Sequence, residues 1–323
     1  MRGQRGWTHF HLFGWKSVME RALGHECLYL VATDGGVIAG VLPLVRVKSL
    51  VFGHYLVSMP FLNYGGPLGT DAAVRALGER AELLVRRGAV KLLEFRSRVP
   101  LPLDMTVSHR KITVVLDLPE AGPELLFKKL DAKVRSQVRR PQKEGVTVRF
   151  GADQVEPFFE VFARHMRDLG TPTQGRRLFE TIADVFPETA VFGCAYLGDA
   201  PIACGAGFEW DGEFEMTWAS SLREHARIAP NMLLYWSFME RAMRAGLRVF
   251  NFGRCSPGGG THKFKLQWGG RDEQLWWYAR AEREGTTTPN PHEGAFSWGP
   301  RIWQKLPHAV ATAVGPQIVR FIP

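Results

Sequence analysis

The residues whose types could combine to do chemistry are concentrated in one short run. The stretch SPGGGTHKFKLQWGG, residues 256–270, holds three consecutive glycines, then His262, Lys263, Lys265 and Trp268. Such a run can cradle phosphate through backbone N–H groups, link two elements, or form part of an active site. It follows a predicted strand, LRVFNFGR (247–254). Its glycine spacing matches neither G-x-x-x-x-G-K-[ST] nor G-x-G-x-x-G, so a nucleotide-binding loop is not indicated. His262 has no cysteine or histidine at ligand spacing, and H-E-x-x-H is absent, so no metal site is expected. What the run does depends on the elements that position it.

Those elements repeat. Residues 12–23 carry apolar side chains at helical spacing, and Gly24 can end that helix. Strands follow over 27–45, turned by Asp34-Gly35-Gly36, and then over 50–58. A helix is predicted over 71–87 and a strand over 90–96. The second half gives helices at 153–168 and 175–186, strands at 190–210 and 213–220, a helix at 229–246 and a strand at 247–254. RRGAVKLLEFRS (86–97) aligns with RAGLRVFNFGRC (244–255), pairing Gly88 with Gly246 and Arg96 with Arg254. A repeat of this size predicts two copies of one α+β unit. The expected domains are 1–115, 116–283 and a tail of 284–323.

Between the copies, Leu126, Leu130, Val134 and Val138 form an apolar stripe beside seven Lys and Arg residues over 128–143. Pro141 is expected to end this helix. Its cations, Arg135, Arg139 and Arg140 among them, either bind phosphates or form a solvated face. The formal net charge of +9 favours anionic partners such as RNA, phosphorylated metabolites or acidic lipid. The four cysteines form no metal or disulfide pattern, and no apolar signal or spanning run occurs. A cytoplasmic protein is expected. The tail, with Trp298, Trp303, Lys305 and Arg320, docks either on the protein itself or peripherally in the inner face of a membrane.

Helix, antiparallel meander, helix and strand is the element order of the GNAT acyltransferase fold, in which an acyl donor lies between two splayed strands. Binding the pyrophosphate of coenzyme A calls for a glycine-rich turn at the next helix N-terminus. Here SLREHARIAPNMLL (221–234) contains no glycine, which argues against acetyl-CoA. VLPLVRVKSLVFG (41–53), MPFLNYGGPL (59–68), KVRSQVRRPQKEG (133–145), MRDLGTP (166–172), MTWASS (216–221), NMLLYW (231–236), FNFGR (250–254) and HKFKLQWG (262–269) resemble the FemAB-related proteins. The likeness is to the branch associated with exosortase/PEP-CTERM and exopolysaccharide gene sets, and it covers about residues 10–278.

The resemblance implies two tandem GNAT-like domains, α+β, with mixed and largely antiparallel sheets flanked by helices. It implies an aminoacyltransferase that moves an amino acid from aminoacyl-tRNA to an amine of an envelope precursor related to peptidoglycan or exopolysaccharide. No cofactor is implied; acyl-CoA is the alternative donor, and a non-catalytic tRNA or lipid-linked sugar binder is the alternative role. There is no long coiled-coil arm of the kind some Fem enzymes carry. Phe264 and Lys265 occupy the positions of the Fem Phe-Lys segment. Lys265 then stabilises the tetrahedral oxyanion or holds the donor's terminal adenosine phosphate, and Lys265→Ala is expected to cost turnover with little loss of stability. Arg254, and Arg96 by the repeat, bind substrate phosphate or carboxylate, or form internal salt bridges. Asp168 accepts a proton from the amine or caps a turn. Tyr64 meets the acceptor or packs in a loop, and Trp218 floors the cleft or belongs to the core.

Overall fold

A computed structural model describes residues 2–49, 53–87, 90–281 and 299–323. Gly88, the start of the strand expected over 50–58, and tail residues 284–298 with Trp298 lie outside the described residues. The chain divides into two units. Unit 1 comprises 1–112, 274–290 and 317–323; unit 2 comprises 113–273 and 291–316.

Unit 1 begins with helix α1 (Gly14–Leu23), closed by Gly24 at φ 68°. Strands β1 (Glu26–Asp34) and β2 (Val37–Ser49) form a hairpin whose turn residues Gly35 and Gly36 have φ of 54° and 82°, values that favour glycine. Then come β3 (Gly53–Ser58), β4 (Leu68–Gly69), α2 (Asp71–Arg87), β5 (Leu92–Ser97) and β6 (Thr106–Ser108). The sheet order is β1-β2-β3-β5, with β3 and β5 parallel, as a helical crossover requires. Leu42, Leu44, Leu56, Leu77, Leu93 and Phe95 form its core against α2.

Unit 2 contains β7 (Ile112–Asp117), α3 (Pro123–Lys129), α4 (Ala132–Lys143), β8 (Val146–Phe150), α5 (Val155–Leu169), α6 (Arg176–Val185), β9 (Ala190–Leu197), β10 (Ala200–Trp210), β11 (Glu213–Ser221), α7 (Pro230–Arg244), β12 (Val249–Cys255), α8 (Gly260–Leu266) and β13 (Arg271–Gln274). Its sheet runs β13-β7-β12-β11-β10-β9-β8. Phe158, Phe179, Phe208 and Trp218 cluster on the α5–α6 face, and Phe150, Phe214, Phe238 and Phe250 on the α7 face. The repeat is real at the level of topology. β9-β10-β11-α7-β12 retraces β1-β2-β3-α2-β5, and Arg96 and Arg254 lie on equivalent strands.

Three expectations are corrected. Residues 276–281, assigned by sequence to the second domain, form β14 (Trp276–Ala281), which lies between β5 and β6 in the unit 1 sheet. Its apolar edge and aromatic residues suit a central strand, but its partners are far away in sequence. The basic segment is two helices, because Leu130 is extended (ψ 149°) and so is Asp131 (ψ 147°), the N-cap of α4. Pro141 does not end α4. It removes one N–H, yet the Glu144 N–H still bonds Arg140 O at 3.2 Å, and the ring is buried. The tail forms α9 (Gly299–Trp303) and α10 (His308–Val319), with Pro316 inside α10.

Candidate functional site

The site is built where β11 and β12 part. They pair only at Glu213↔Val249, Phe214↔Phe250 and Glu215↔Asn251, although β11 continues to Ser221 and β12 to Cys255. Beyond Glu215 the facing backbone groups have no ladder between them. β11 is also bulged against β10: Ala206 pairs with Trp218 and Gly207 with Met216, leaving Thr217 as the extra residue. Gly207 permits this, since a Cβ there would sit 2.1 Å from Glu215 O. The Thr217 hydroxyl is buried without a hydrogen-bond partner at the edge of the gap.

On β12 a second irregularity shapes the gap. Successive strand carbonyls normally point to opposite sides. Gly253, at φ 73°, turns its own carbonyl and that of Arg254 to one side. Lys265 Nζ donates to both, at 2.5 and 3.1 Å. Asn251, fully buried, fixes this shape: its Oδ1 accepts from Thr113 Oγ1 (2.5 Å) and Gly253 N–H (2.8 Å), and its Nδ2 donates to Glu213 (2.7 Å).

Lys265 is only 3% exposed. Its pKa is lowered to about 8, chiefly by burial and in part by Arg254, while the neighbouring Cys255 and Glu215 oppose the shift. A lysine poised there carries its charge at neutral pH and loses it under mildly alkaline conditions. The same helix exposes Lys263. The loop before it is held by His262, whose Nδ1 accepts from Gly258 N–H (3.0 Å), so that Nε2–H donates to Asp272 (2.8 Å). The glycines are a connector: a Cβ on Gly258 or Gly260 meets open space, and on Gly259 only Ser256 O at 3.7 Å.

The other expected residues disperse. Phe264 packs edge-on against Tyr235 with centroids 4.9 Å apart. Trp218 lies in the α5–α6 core, 5.4 Å from Phe179, rather than flooring the gap. Arg254 is half-buried beside Lys265 and acts on it electrostatically. Asp168 ends α5 in an ion pair with Arg167 at 2.8 Å, and among the described residues no bond links it to Lys265. Arg135 caps α3 by donating to Leu130 O and Lys128 O, Arg139 lies over Phe127 at 5.1 Å, and Arg140 donates to Arg227 O at 3.1 Å. Arg139 and Arg140 remain exposed beside Ser136 and Lys143, along a groove of about 380 Å³.

In unit 1 the equivalent positions are closed by the chain itself. Gly65 and Gly66 N–H both donate to Arg96 O, at 3.0 and 2.7 Å. The Arg96 guanidinium is 2% exposed, bonded to Glu94 at 2.7 Å and stacked over Trp277 at 4.5 Å. Arg96 therefore forms an internal ion pair, the second of the two roles expected for it. Tyr64 is likewise fully buried against Phe10 and Arg98, so it packs the loop instead of meeting an acceptor.

Sequence reasoning missed Asn251, Glu215, the Thr217 bulge and the His262–Asp272 pair. Polar residues at buried strand positions were the available signal for the first two. Among the described residues no group of three or more His, Cys, Asp or Glu could hold a metal ion, and no helix is long and apolar enough to cross a membrane.

A bulged strand and a parallel neighbour that leaves it after three pairs, in a topology that the first half repeats, make up a tandem GNAT-like fold. Residues 128–266 match the acetyltransferase (GNAT) domain family. The structure is similar to that of FemX, with a TM-score of 0.66, 14% identity, and 85% of this chain and 93% of that chain covered. It is also similar to the C-terminal domain of a putative lysylphosphatidylglycerol synthetase from Agrobacterium fabrum (TM-score 0.57, 12% identity, 86% and 88% covered). A tandem GNAT protein from the clavulanic acid biosynthesis pathway follows at TM-score 0.53, 15% identity, and 81% and 85% covered. No curated protein matches the chain in sequence.

Proposed function

We propose that the chain is an N-acyltransferase whose donor is an aminoacyl-tRNA and whose acceptor is an amine on a cell-envelope or exopolysaccharide precursor. The observation that carries this reading is the turn before α7. In a CoA-dependent enzyme that turn presents glycine N–H groups to pyrophosphate. Here it is a tight helical turn over Arg223–Ile228 ending in Ala229 at φ 55°, a residue with a side chain where glycine would serve. Arg140 of the basic helix α4 is bonded to it through Arg227 O. Long polyanionic donors suit such a surface better than CoA does. The Fem resemblance points the same way.

In this reading the acceptor amine attacks the donor's ester carbonyl in the gap between β11 and β12. The carbonyl oxygen becomes an oxyanion, which the Lys265 ammonium stabilises. The C–O bond to the terminal ribose then breaks. The amine's proton leaves through a carboxylate and ends on the departing ribose hydroxyl. Glu215, at the vertex of the gap and acting electrostatically on Lys265, is better placed for that proton than Asp168.

The test offers labelled aminoacyl-tRNA and labelled acyl-CoA in parallel to the protein with envelope precursors, and reads the product by mass spectrometry. Transfer from aminoacyl-tRNA is expected. Changing Arg135, Arg139 and Arg140 to Glu should weaken tRNA binding, most at low salt. Transfer from acyl-CoA without tRNA would establish the CoA-dependent alternative. Tight tRNA binding with no transfer to any acceptor would leave a binding protein.

A further inference from the structure

The C-terminal helix is turned the wrong way round for a helix facing water. In α10 the small residues are inside: Ala311 is 2% exposed, and a Cβ on Gly315 would come within 2.9 Å of Thr173 N. The outward face is Ala309, Val310, Ala313 and Val314, all exposed, and the helix from 308 to 319 contains no Asp, Glu, Lys or Arg. An amphipathic helix on a soluble surface shows the opposite arrangement. Just before it, Ile302 is 51% exposed, alongside Val310 and Val314 at 43% each.

Cations border this apolar strip. Arg301 and Lys305 are exposed at its start. Burial lowers the pKa of His308, the first residue of α10, helped by Arg167 and Arg164 and opposed by Glu160 and Asp168; these two arginines are already ion-paired, with Asp168 and Glu224, so Arg301 and Lys305 are the cations offered to a partner. The segment is anchored to unit 2 by Gln304, which donates to Asp168 O at 3.1 Å, and by Arg167, which donates to Leu306 O at 3.4 Å. At 1.5 Å per residue, twelve residues make a helix of about 18 Å, too short to span the ~30 Å hydrocarbon core. A short apolar face with a cationic border fits the plane of a lipid headgroup layer.

We infer that residues 299–316 form a peripheral docking surface for an anionic lipid bilayer, with Ile302, Val310 and Val314 entering the interface and Arg301 and Lys305 meeting the headgroups. The charge border selects this occupant. A second copy of this chain, with the same cations, would bring like charges together. The inference does not depend on which acyl donor is used.

The experiment is co-sedimentation of the full chain with vesicles of phosphatidylcholine alone or with 30% phosphatidylglycerol, at about 0.1 M salt. Wild-type protein is expected to pellet with the anionic vesicles and much less with neutral ones. Arg301→Ala and Lys305→Ala should each lower partitioning roughly fivefold on anionic vesicles and little on neutral ones. Val310→Glu with Val314→Glu should abolish binding while the melting temperature stays unchanged, since both side chains face outward. Wild-type protein that stays in solution with both vesicle types would overturn the inference. So would equal binding by the Val310/Val314 variant, or a lipid-free dimer by sedimentation velocity that this variant dissociates.

Discussion

Replacing Lys265 by Met keeps the bulk of the side chain and removes the charge. In the folded protein the ammonium has a pKa of about 8 against 10.5 when unperturbed, so the fold disfavours its charged form by about 3 kcal/mol. The sign follows from proton counting. Below pH 8 both folded and unfolded chains hold the proton. Between 8 and 10.5 the folded protein has released it and the unfolded chain has not, so unfolding takes up a proton and stability rises with pH. Wild-type stability minus that of Lys265→Met should therefore increase by up to about 3 kcal/mol across this window, while other titrating groups cancel. At pH 7 the variant gains by losing a buried charge but leaves the carbonyls of Gly253 and Arg254 without their donor, at about 1–3 kcal/mol each. The expectation of a purely functional Lys265→Ala phenotype is thus revised: stability changes too. Turnover should fall about a hundred- to thousand-fold in the variant, and in wild type about tenfold per pH unit above 8. Urea unfolding at four pH values, with single-turnover transfer alongside, reads both. A flat stability difference would show that Lys265 is not held in this buried state. Turnover that persists unchanged above pH 9 would show that its charge does not act on the reaction.

Three further outcomes are expected. Arg96→Met should destabilise unit 1 by roughly 3–5 kcal/mol by stranding Glu94, whereas the double variant with Glu94→Met should recover most of the loss in a denaturant titration. Unit 1 should lose stability as pH falls below 6.5, because the unfolded chain then takes up protons that His9 and His25, with pKa values of about 3 and 4, refuse in the fold; His25→Gln should make the stability–pH curve shallower by about 1.4 kcal/mol per pH unit. Gly207→Ala should cost about 1–3 kcal/mol or force the β11 bulge to shift, while Gly259→Ala should leave the melting temperature within a degree or so.

What could be read from sequence was what neighbours in the chain decide. The hairpin at Asp34-Gly35-Gly36, helix α2 and the order of the second meander follow from local periodicity and turn chemistry. β14 could not be read this way. WWYARA has no turn signal tying it to β5, and pairing Trp277 with Arg96 depends on contacts across most of the chain. At the site, Lys265 stood out because it lies on the Fem Phe-Lys positions, but its burial and its bond to Gly253 depend on a left-handed turn in β12 that FNFGR does not announce. Asn251 was legible in principle, as a polar side chain alternating with two phenylalanines in a strand. The Thr217 bulge was not, since it arises from register against Gly207 on another strand.

The position of β14 sets an order of assembly. Synthesis releases β1–β5 well before β14, yet the unit 1 sheet has β14, residues 276–281, between β5 and β6. While the ribosome is still making unit 2, the first hundred residues can form the β1–β2 hairpin and α2, but β5 keeps one edge open and Arg96 lacks the Trp277 ring it stacks on. The second half of the chain can therefore complete its sheet before the first half does, the reverse of the usual vectorial sequence. A nascent chain halted before residue 276 should be protease-sensitive in its N-terminal third and bind holdase chaperones there. Extension past residue 281 should protect it. A strand that emerges after the whole unit 2 sheet is thus the one that commits the first unit to its fold.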